Sequence, residues 1–244
     1  MSAPTYIVTG ASRGLGAVIA GRLLDDGHRV LALSRRPDGA IPELQDRAGE
    51  GSLHHLPIDF EDLDSLRNLD LPGWIGPSDP VQGLVNNAAM AIDDLVTNLD
   101  QAALERMFRV NVYAPMELTR GFIRNCLLHG TSGSLVHISS VCAHSGYKGL
   151  AMYAASKGAL ESFSRNVARE WGSRRIRSNC VVCGFMETDM SSTLDEAARE
   201  RVYRRTALGL PTNPESVAAM VAYLLSDSAA SVTGQAFPVD AGTL

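Results

Sequence analysis

The chain has 244 residues, 45% hydrophobic and 20% charged, with 22 Lys and Arg against 27 Asp and Glu and a formal net charge of -5. A polypeptide of this length buries roughly three quarters of its unfolded surface, so it needs neither disulfides nor a structural metal, and disorder is excluded. Mild acidity with scattered arginines offers no basic stripe to nucleic acid or an anionic bilayer, and no apolar run approaches the ~18 residues of a membrane span.

The strand-like TYIVTG begins at Thr5 and leaves no room for a signal peptide, so the expectation is one domain, 1–244, in the cytoplasm. Short apolar, β-branched runs then alternate with longer amphipathic stretches. Strands are predicted at 6–9, 29–33, 53–58, 83–86, 134–139, 177–182 and 236–239. Helices are predicted at 14–26, 41–48, 63–69, 101–128, 152–171, 194–208 and 214–225. This alternation predicts an α/β, doubly wound fold with a seven-stranded parallel sheet and helices on both faces. Residues 70–80, DLPGWIGPSDP, carry three prolines and two glycines where a crossover helix would otherwise continue, and are read as a loop. Cys180 and Cys183 have Cys-x-x-Cys spacing, yet NCVVCG reads as a buried strand in which positions three apart face opposite ways, so neither a redox nor a zinc pair is expected. Cys126 and Cys142 are read as reduced core or loop thiols.

The first strand runs into Thr9-Gly10-Ala11-Ser12-Arg13-Gly14-Leu15-Gly16 and a helix, the setting a dinucleotide phosphate site requires. Gly10 makes the turn, Gly14 admits the pyrophosphate to the backbone, Gly16 permits close packing, and the helix N-terminus offers N–H groups and positive dipole. A glycine cluster alone also fits an ordinary strand-to-helix turn; its place in the first βα unit favours the nucleotide. The second strand ends in Ser34-Arg35-Arg36, with no carboxylate in the position that would repel a 2′-phosphate. Arg35 and Arg13 can clamp one, which predicts NADP(H), although paired arginines also simply solvate loops.

Tyr153 and Lys157 fall one turn apart at a helix start. An ammonium ~4 Å from the phenol, at an effective dielectric near 20, is worth roughly 4 kcal/mol, about three pK units, and would bring the tyrosine from near 10 to near 7. Tyr153 would then serve as acid or base for a carbonyl/alcohol pair. Such a pair arises easily by chance, but Ser139-Ser140, Asn86-Asn87-Ala88-Ala89 and Asn111 are predicted to gather at the same sheet edge, where open α/β sheets bind ligands.

TGASRGLG, NNAA, Asn111, HISS, YAASK, CGFMETDM and the closing TGQAFPVDAG follow one another in an order that resembles the short-chain dehydrogenase/reductase family over essentially the whole chain. The resemblance implies a Rossmann domain and a catalytic tetrad of Asn111, Ser140, Tyr153 and Lys157. Ser140 would hydrogen-bond the substrate oxygen, Tyr153 exchange the proton, Lys157 hold the nicotinamide ribose and lower the tyrosine pKa, and Asn111 anchor a water. It also implies cofactor contacts at Gly10, Ser12, Arg13, Gly14, Leu15, Gly16 and Arg35, with Asp59 and Phe60 at the adenine, Asn87 and Ala88 on the ribose side, and Met186 and Thr188 at the carboxamide. Three positions depart from the family pattern. Cys183 replaces the usual proline, implying a less rigid loop, while Ala89 and Ala241 replace glycines.

Substrate loops are expected near 141–152 and 184–212, where Tyr147, Leu150, Phe185 and Met190 can form an apolar wall and His144 a polar contact. His28, His54, His55, His129 and His137 show no ligand spacing, so no metal is expected. Within the family the chain is similar to the β-ketoacyl-acyl-carrier-protein reductases. That implies NADPH-dependent reduction of a 3-oxoacyl thioester or related ketone, with an acyl carrier protein as a possible partner docking at Arg174 and Arg175. A reversible dehydrogenase of small alcohols, steroids or polyketides is the alternative. A cofactor sensor that has lost chemistry is disfavoured because no tetrad residue is missing, and an extended nucleotide-sugar epimerase because the chain is short. In this family the 101–128 and 152–171 helices pair across two-fold axes, implying a homo-oligomer, a tetramer or a dimer.

Overall fold

The computed structural model describes residues 3–49, 51–69, 80–188 and 195–244. Seven parallel strands, β1 (Thr5–Thr9), β2 (Arg29–Ser34), β3 (Leu53–Pro57), β4 (Val81–Asn86), β5 (Gly133–Ser140), β6 (Ile176–Cys183) and β7 (Ala236–Val239), form one sheet in the order β3-β2-β1-β4-β5-β6-β7. The chain leaves β1 toward β2 on one side and returns to β4 on the other. A crevice therefore opens beyond the carboxyl ends of β1 and β4.

The period-two alternation of each strand builds two cores. On one face Tyr6, Val8, Val30, Ala32, Val85 and Val136 meet α1 (Gly14–Asp25), α2 (Ile41–Ala48) and α8 (Pro214–Leu225). On the other, Ile7, Leu31, Leu33, Leu84 and Leu135 meet α3 (Leu63–Arg67), α5 (Ala114–His129) and α6 (Ala151–Trp171), with Phe122 fully buried. The remaining helices are α4 (Gln101–Phe108) and α7 (Glu196–Tyr203). Among the described residues no helix is long and apolar enough to cross a membrane.

Most predicted boundaries hold within two residues, and two do not. The helix expected at 101–128 is broken between α4 and α5 by a π-helical turn, Arg109–Tyr113, in which the Ala114 N–H reaches back to the Arg109 carbonyl. Pro115 supplies the reason: it has no N–H to offer the Asn111 carbonyl four residues before it. The helix expected at 194–208 is shorter, because the Thr206 hydroxyl bonds the Tyr203 and Leu210 carbonyls and turns the chain away. Its first residue, and 70–79 of the Pro-rich loop, lie outside the described residues.

Candidate active site

Gly10 follows β1 at φ +68°, and its N–H donates to the Leu33 carbonyl at 2.7 Å. Thr9, one residue earlier, accepts the Asn87 and Ala88 N–H groups on its hydroxyl at 2.8 Å each, while Asn87 Nδ2 returns a bond to the Thr9 carbonyl at 2.9 Å. These bonds stitch the turn after β4 to the glycine loop. A Cβ on Gly16 would lie 2.2 Å from the Gly10 carbonyl oxygen and 2.6 Å from Asn87 Nδ2, so only glycine fits. One on Gly14, at φ +54°, would meet nothing closer than Thr188 at 3.9 Å, which brings the loop after β6 over the glycine loop.

Helices α3, α4 and α8 are capped by Asp62, Asp100 and Asn213, whereas α1 has extended Arg13 at its N-cap position, no side-chain cap and no acid in its first turn. An uncapped N-terminus beside a glycine cradle fits a pyrophosphate. The Ala40 N–H bonds the Ser12 carbonyl at 2.8 Å, drawing the β2–α2 loop onto the glycine loop, and Arg35 and Arg36 on it are exposed. Ile58 N–H bonds the Ser34 carbonyl, setting Asp59 and the buried Phe60 beside the end of β2. These residues fit an adenine dinucleotide.

Strands β4, β5 and β6 carry the chemical groups to the same edge, with Ser140 in register with Cys183. Ser140 ends β5 and caps the Val141–Ala143 turn by accepting the Cys142 N–H at 3.3 Å. Its hydroxyl also lies near enough to the Tyr153 phenol to act on it. Lys157, 2% exposed, donates from Nζ to the Ile138 carbonyl at 2.8 Å and lies 5.7 Å from the centre of the Tyr153 ring.

This corrects the sequence-based electrostatics. The ammonium is held by β5 rather than by the phenol oxygen, and burial raises the Tyr153 pKa, opposed by the nearby Ser140 hydroxyl. Burial also lowers Lys157 to about 8, against the pull of Cys183, Cys180, Cys142 and Glu161. At neutral pH Tyr153 therefore carries its proton.

Asn111, 1% exposed in the π turn, accepts the Met90 N–H at 2.9 Å and donates to the Met90 carbonyl at 2.8 Å and to Ser156 Oγ at 3.0 Å. Both amide protons are spent on protein. A bound water must use the remaining lone pair or the main-chain carbonyl that Pro115 cannot serve.

Around the mouth, the Phe185 and Tyr203 rings meet at 6.0 Å with their planes tilted by 55°, and the Thr212 N–H holds the Phe185 carbonyl at 2.7 Å. Tyr147, Leu150 and Met186 are half-buried, while Met190 lies outside the described residues. Cys183 does not loosen this segment: β6 runs through it, and Gly184 N–H bonds the Val239 carbonyl at 3.1 Å. Ala89 is tolerated, half-buried, while Ala241 adopts left-handed φ 55° in the place of a glycine. Arg174 and Arg175 do not reach the pocket of their own chain. They precede β6 at its amino end, about 26 Å along the strand from Cys183. Cys180 and Cys183 are buried free thiols pushed up to about 12 by desolvation. Among the described residues no three His, Cys, Asp or Glu side chains gather as a metal site.

Sequence reasoning missed four residues here. Thr9 was legible as the polar residue between strand and turn. Asp38 lies in the Arg35 loop, near enough to act on His55, and Asp93 acts electrostatically on Tyr153 and Cys142. Glu161, two turns after Tyr153 on the same helix face, is 6% exposed.

The profile of the family described as "Enoyl-(Acyl carrier protein) reductase" matches residues 10–243. The 3-oxoacyl-[acyl-carrier-protein] reductase FabG of Salmonella typhimurium is 32% identical over 238 residues, covering 97% of this chain and 95% of that protein. The L-xylulose reductase of Caenorhabditis elegans is likewise 32% identical, covering 97% and 94%. Among solved structures, a variant of the actinorhodin polyketide ketoreductase with NADPH superposes with a TM-score of 0.91 at 28% identity, covering 99% of this chain and 97% of that one. Matched by such relatives along almost its entire length, the chain belongs to the short-chain dehydrogenase/reductase family and is an oxidoreductase.

Proposed function

We propose that the protein, as one domain spanning 1–244, is an NADPH-dependent ketoreductase that converts a 3-oxoacyl thioester or related β-keto substrate to a secondary alcohol. The observation that carries this reading is the convergence of Ser140 at the end of β5 with Tyr153 and Lys157, at the sheet edge shared with the glycine loop. When bound, the nicotinamide supplies the hydride. Ser140 donates a hydrogen bond to the substrate carbonyl oxygen and Tyr153 gives that oxygen its proton as the carbon accepts hydride. A raised tyrosine pKa suits this direction, because the donor is fully loaded at neutral pH. Lys157 binds the nicotinamide ribose and returns a proton to Tyr153, with a water at the Asn111 turn linking it to solvent.

NADPH over NADH is supported by exposed Arg35 on a loop pinned to Ser12, with Arg13 beside it; Asp38 is the opposing charge in that loop. Met186 and Thr188 close over the nicotinamide side, supported by the approach of Thr188 to Gly14. The loops 141–152 and 184–212 form the substrate wall, lined by Tyr147, Leu150 and Phe185, and an acyl carrier protein is the macromolecular partner to test. Exposed Leu99, Tyr113, Leu127 and Leu128 on and around α4 and α5 support association with further copies of the chain.

The test is oxidation of NADPH and NADH in parallel against an acetoacetyl thioester, its carrier-protein-bound counterpart, free β-keto esters and cyclic ketones. Faster turnover with NADPH on the β-keto compounds is expected. Oxidation of neither cofactor with any of them would refute the reading.

A further inference from the structure

Behind the catalytic edge lies a second polar cluster that the reaction as written does not use. Tyr153, Lys157 and Glu161 succeed one another by single turns along one face of α6. The Glu161 carboxylate, 6% exposed, accepts the Ser139 hydroxyl from the end of β5. It also meets His144 Nε2 at 2.9 and 3.0 Å. Ser139 immediately precedes Ser140, and His144 closes the Val141–Ala143 turn that follows it. One carboxylate thus grips both ends of the short segment that carries Ser140.

A carboxylate this buried costs free energy unless its lone pairs and its charge are answered. Ser139 and His144 answer the lone pairs. The nearest buried cation on its helix is Lys157, one turn away and 2% exposed.

We propose that Glu161 is a positioning residue for the reaction: it clamps residues 139 and 144 so that the Ser140 hydroxyl stays at the end of β5 beside Tyr153, and it sets its negative charge one helical turn behind the Lys157 ammonium. The groups facing Lys157 are Tyr153 and Glu161 on its own helix, His137 on β5, Cys180 and Cys183 on β6, and Cys142 in the turn. Buried thiols held protonated and a His137 pushed down to about 3 carry no charge near neutral pH. Glu161 is therefore the only formal negative charge among them. The kinetic part of the test below rests on the ketoreductase reading; the spectroscopic part does not.

The chain contains only two lysines, Lys148 and Lys157. Protein labelled with 13C,15N-lysine therefore gives two side-chain signals by NMR, and Lys148→Arg assigns them without cofactor or substrate. Lys157 is expected to titrate near 8 in the parent protein. In Glu161→Gln, which keeps the shape and removes the charge, it is expected to titrate at lower pH. Glu161→Asp keeps the charge and restores most of the difference. In ketone reduction, the alkaline limb of kcat should move to lower pH in Glu161→Gln together with the lysine, while NADPH binding at low pH is unchanged. His144→Ala, at a half-exposed position that the fold tolerates, should lower kcat several-fold through the clamp alone.

An unmoved Lys157 titration in Glu161→Gln overturns the electrostatic role. A kcat unchanged in His144→Ala overturns the clamp. If Glu161→Gln does not fold, impaired kcat in His144→Ala, with the lysine titration left in place, supports the clamp, and an unchanged kcat there refutes the proposal. Absence of ketone turnover in the parent protein would sink the ketoreductase reading and leave the lysine titration to decide this one.

Discussion

Replacing Lys157 with methionine should destroy turnover and make the protein more stable at neutral pH. The fold buries this ammonium, lowering its pKa from 10.5 to about 8. A folded-state pKa below the unfolded value means that the native state resists the proton, so the lysine destabilises the fold wherever both states carry it. Below pH 8 the cost is complete, about 3 kcal/mol at 1.36 kcal/mol per unit. Between 8 and 10.5 the unfolded chain binds more protons than the native one, stability rises with pH, and the cost disappears. Methionine occupies a similar volume but forfeits the bond to the Ile138 carbonyl, worth about 1 kcal/mol. The net gain is about 2 kcal/mol at pH 7, or roughly 4–8 °C in Tm for a chain of this size. Thermal melts of parent and Lys157→Met across this pH range test it. A variant that melts no higher than the parent at pH 7, or keeps its full advantage above pH 10.5, would show that burial of this charge is not the strain inferred.

Tyr153→Phe should abolish ketone reduction while leaving NADPH affinity within a few-fold, since only the proton donor is lost; retained turnover in a stopped assay would remove Tyr153 as the acid. Gly16→Ala forces a Cβ to within 2.2 Å of the Gly10 carbonyl, so the glycine loop must shift. NADPH binding measured by fluorescence should weaken by about tenfold or more, and unchanged affinity would contradict the cradle. Arg35→Asp should turn cofactor preference toward NADH, and Asp38→Asn should strengthen NADPH preference; a kcat/KM ratio indifferent to both would exonerate the loop. Ala241→Gly should stabilise by about 0.5–1 kcal/mol. Relief of a left-handed φ of 55° is worth roughly 1–2 kcal/mol and glycine's extra unfolded entropy costs about 0.5–1; a lower Tm would refute that balance.

Much of this protein was legible in its sequence, because the information was local. Alternating β-branched runs and amphipathic stretches determine strands and helices through side-chain periodicity, so seven strands and the doubly wound class needed no coordinates. The glycine loop was readable for the same reason: Gly10, Gly14 and Gly16 answer to backbone geometry within one turn. Even Ala241 was visible as an alanine in a glycine's place, although its strain appears only with the dihedral angle. What the tertiary structure alone decided concerns groups far apart in the chain that meet across the sheet edge. Lys157 binds the Ile138 carbonyl rather than the Tyr153 oxygen, because the fold lays β5, nineteen residues back in the chain, beside the helix. Asn111 spends its amide on Met90 and Ser156 within a π turn that Pro115 hinted at but could not locate. Glu161 joins Ser139 and His144, neighbours that no spacing rule pairs with it. Arg174 and Arg175 prove to stand at the opposite end of the sheet from the chemistry. Periodicity tells which face a side chain takes, but burial and partner choice depend on which elements the topology makes adjacent, and these set both the pKa values and the hydrogen bonds of the site.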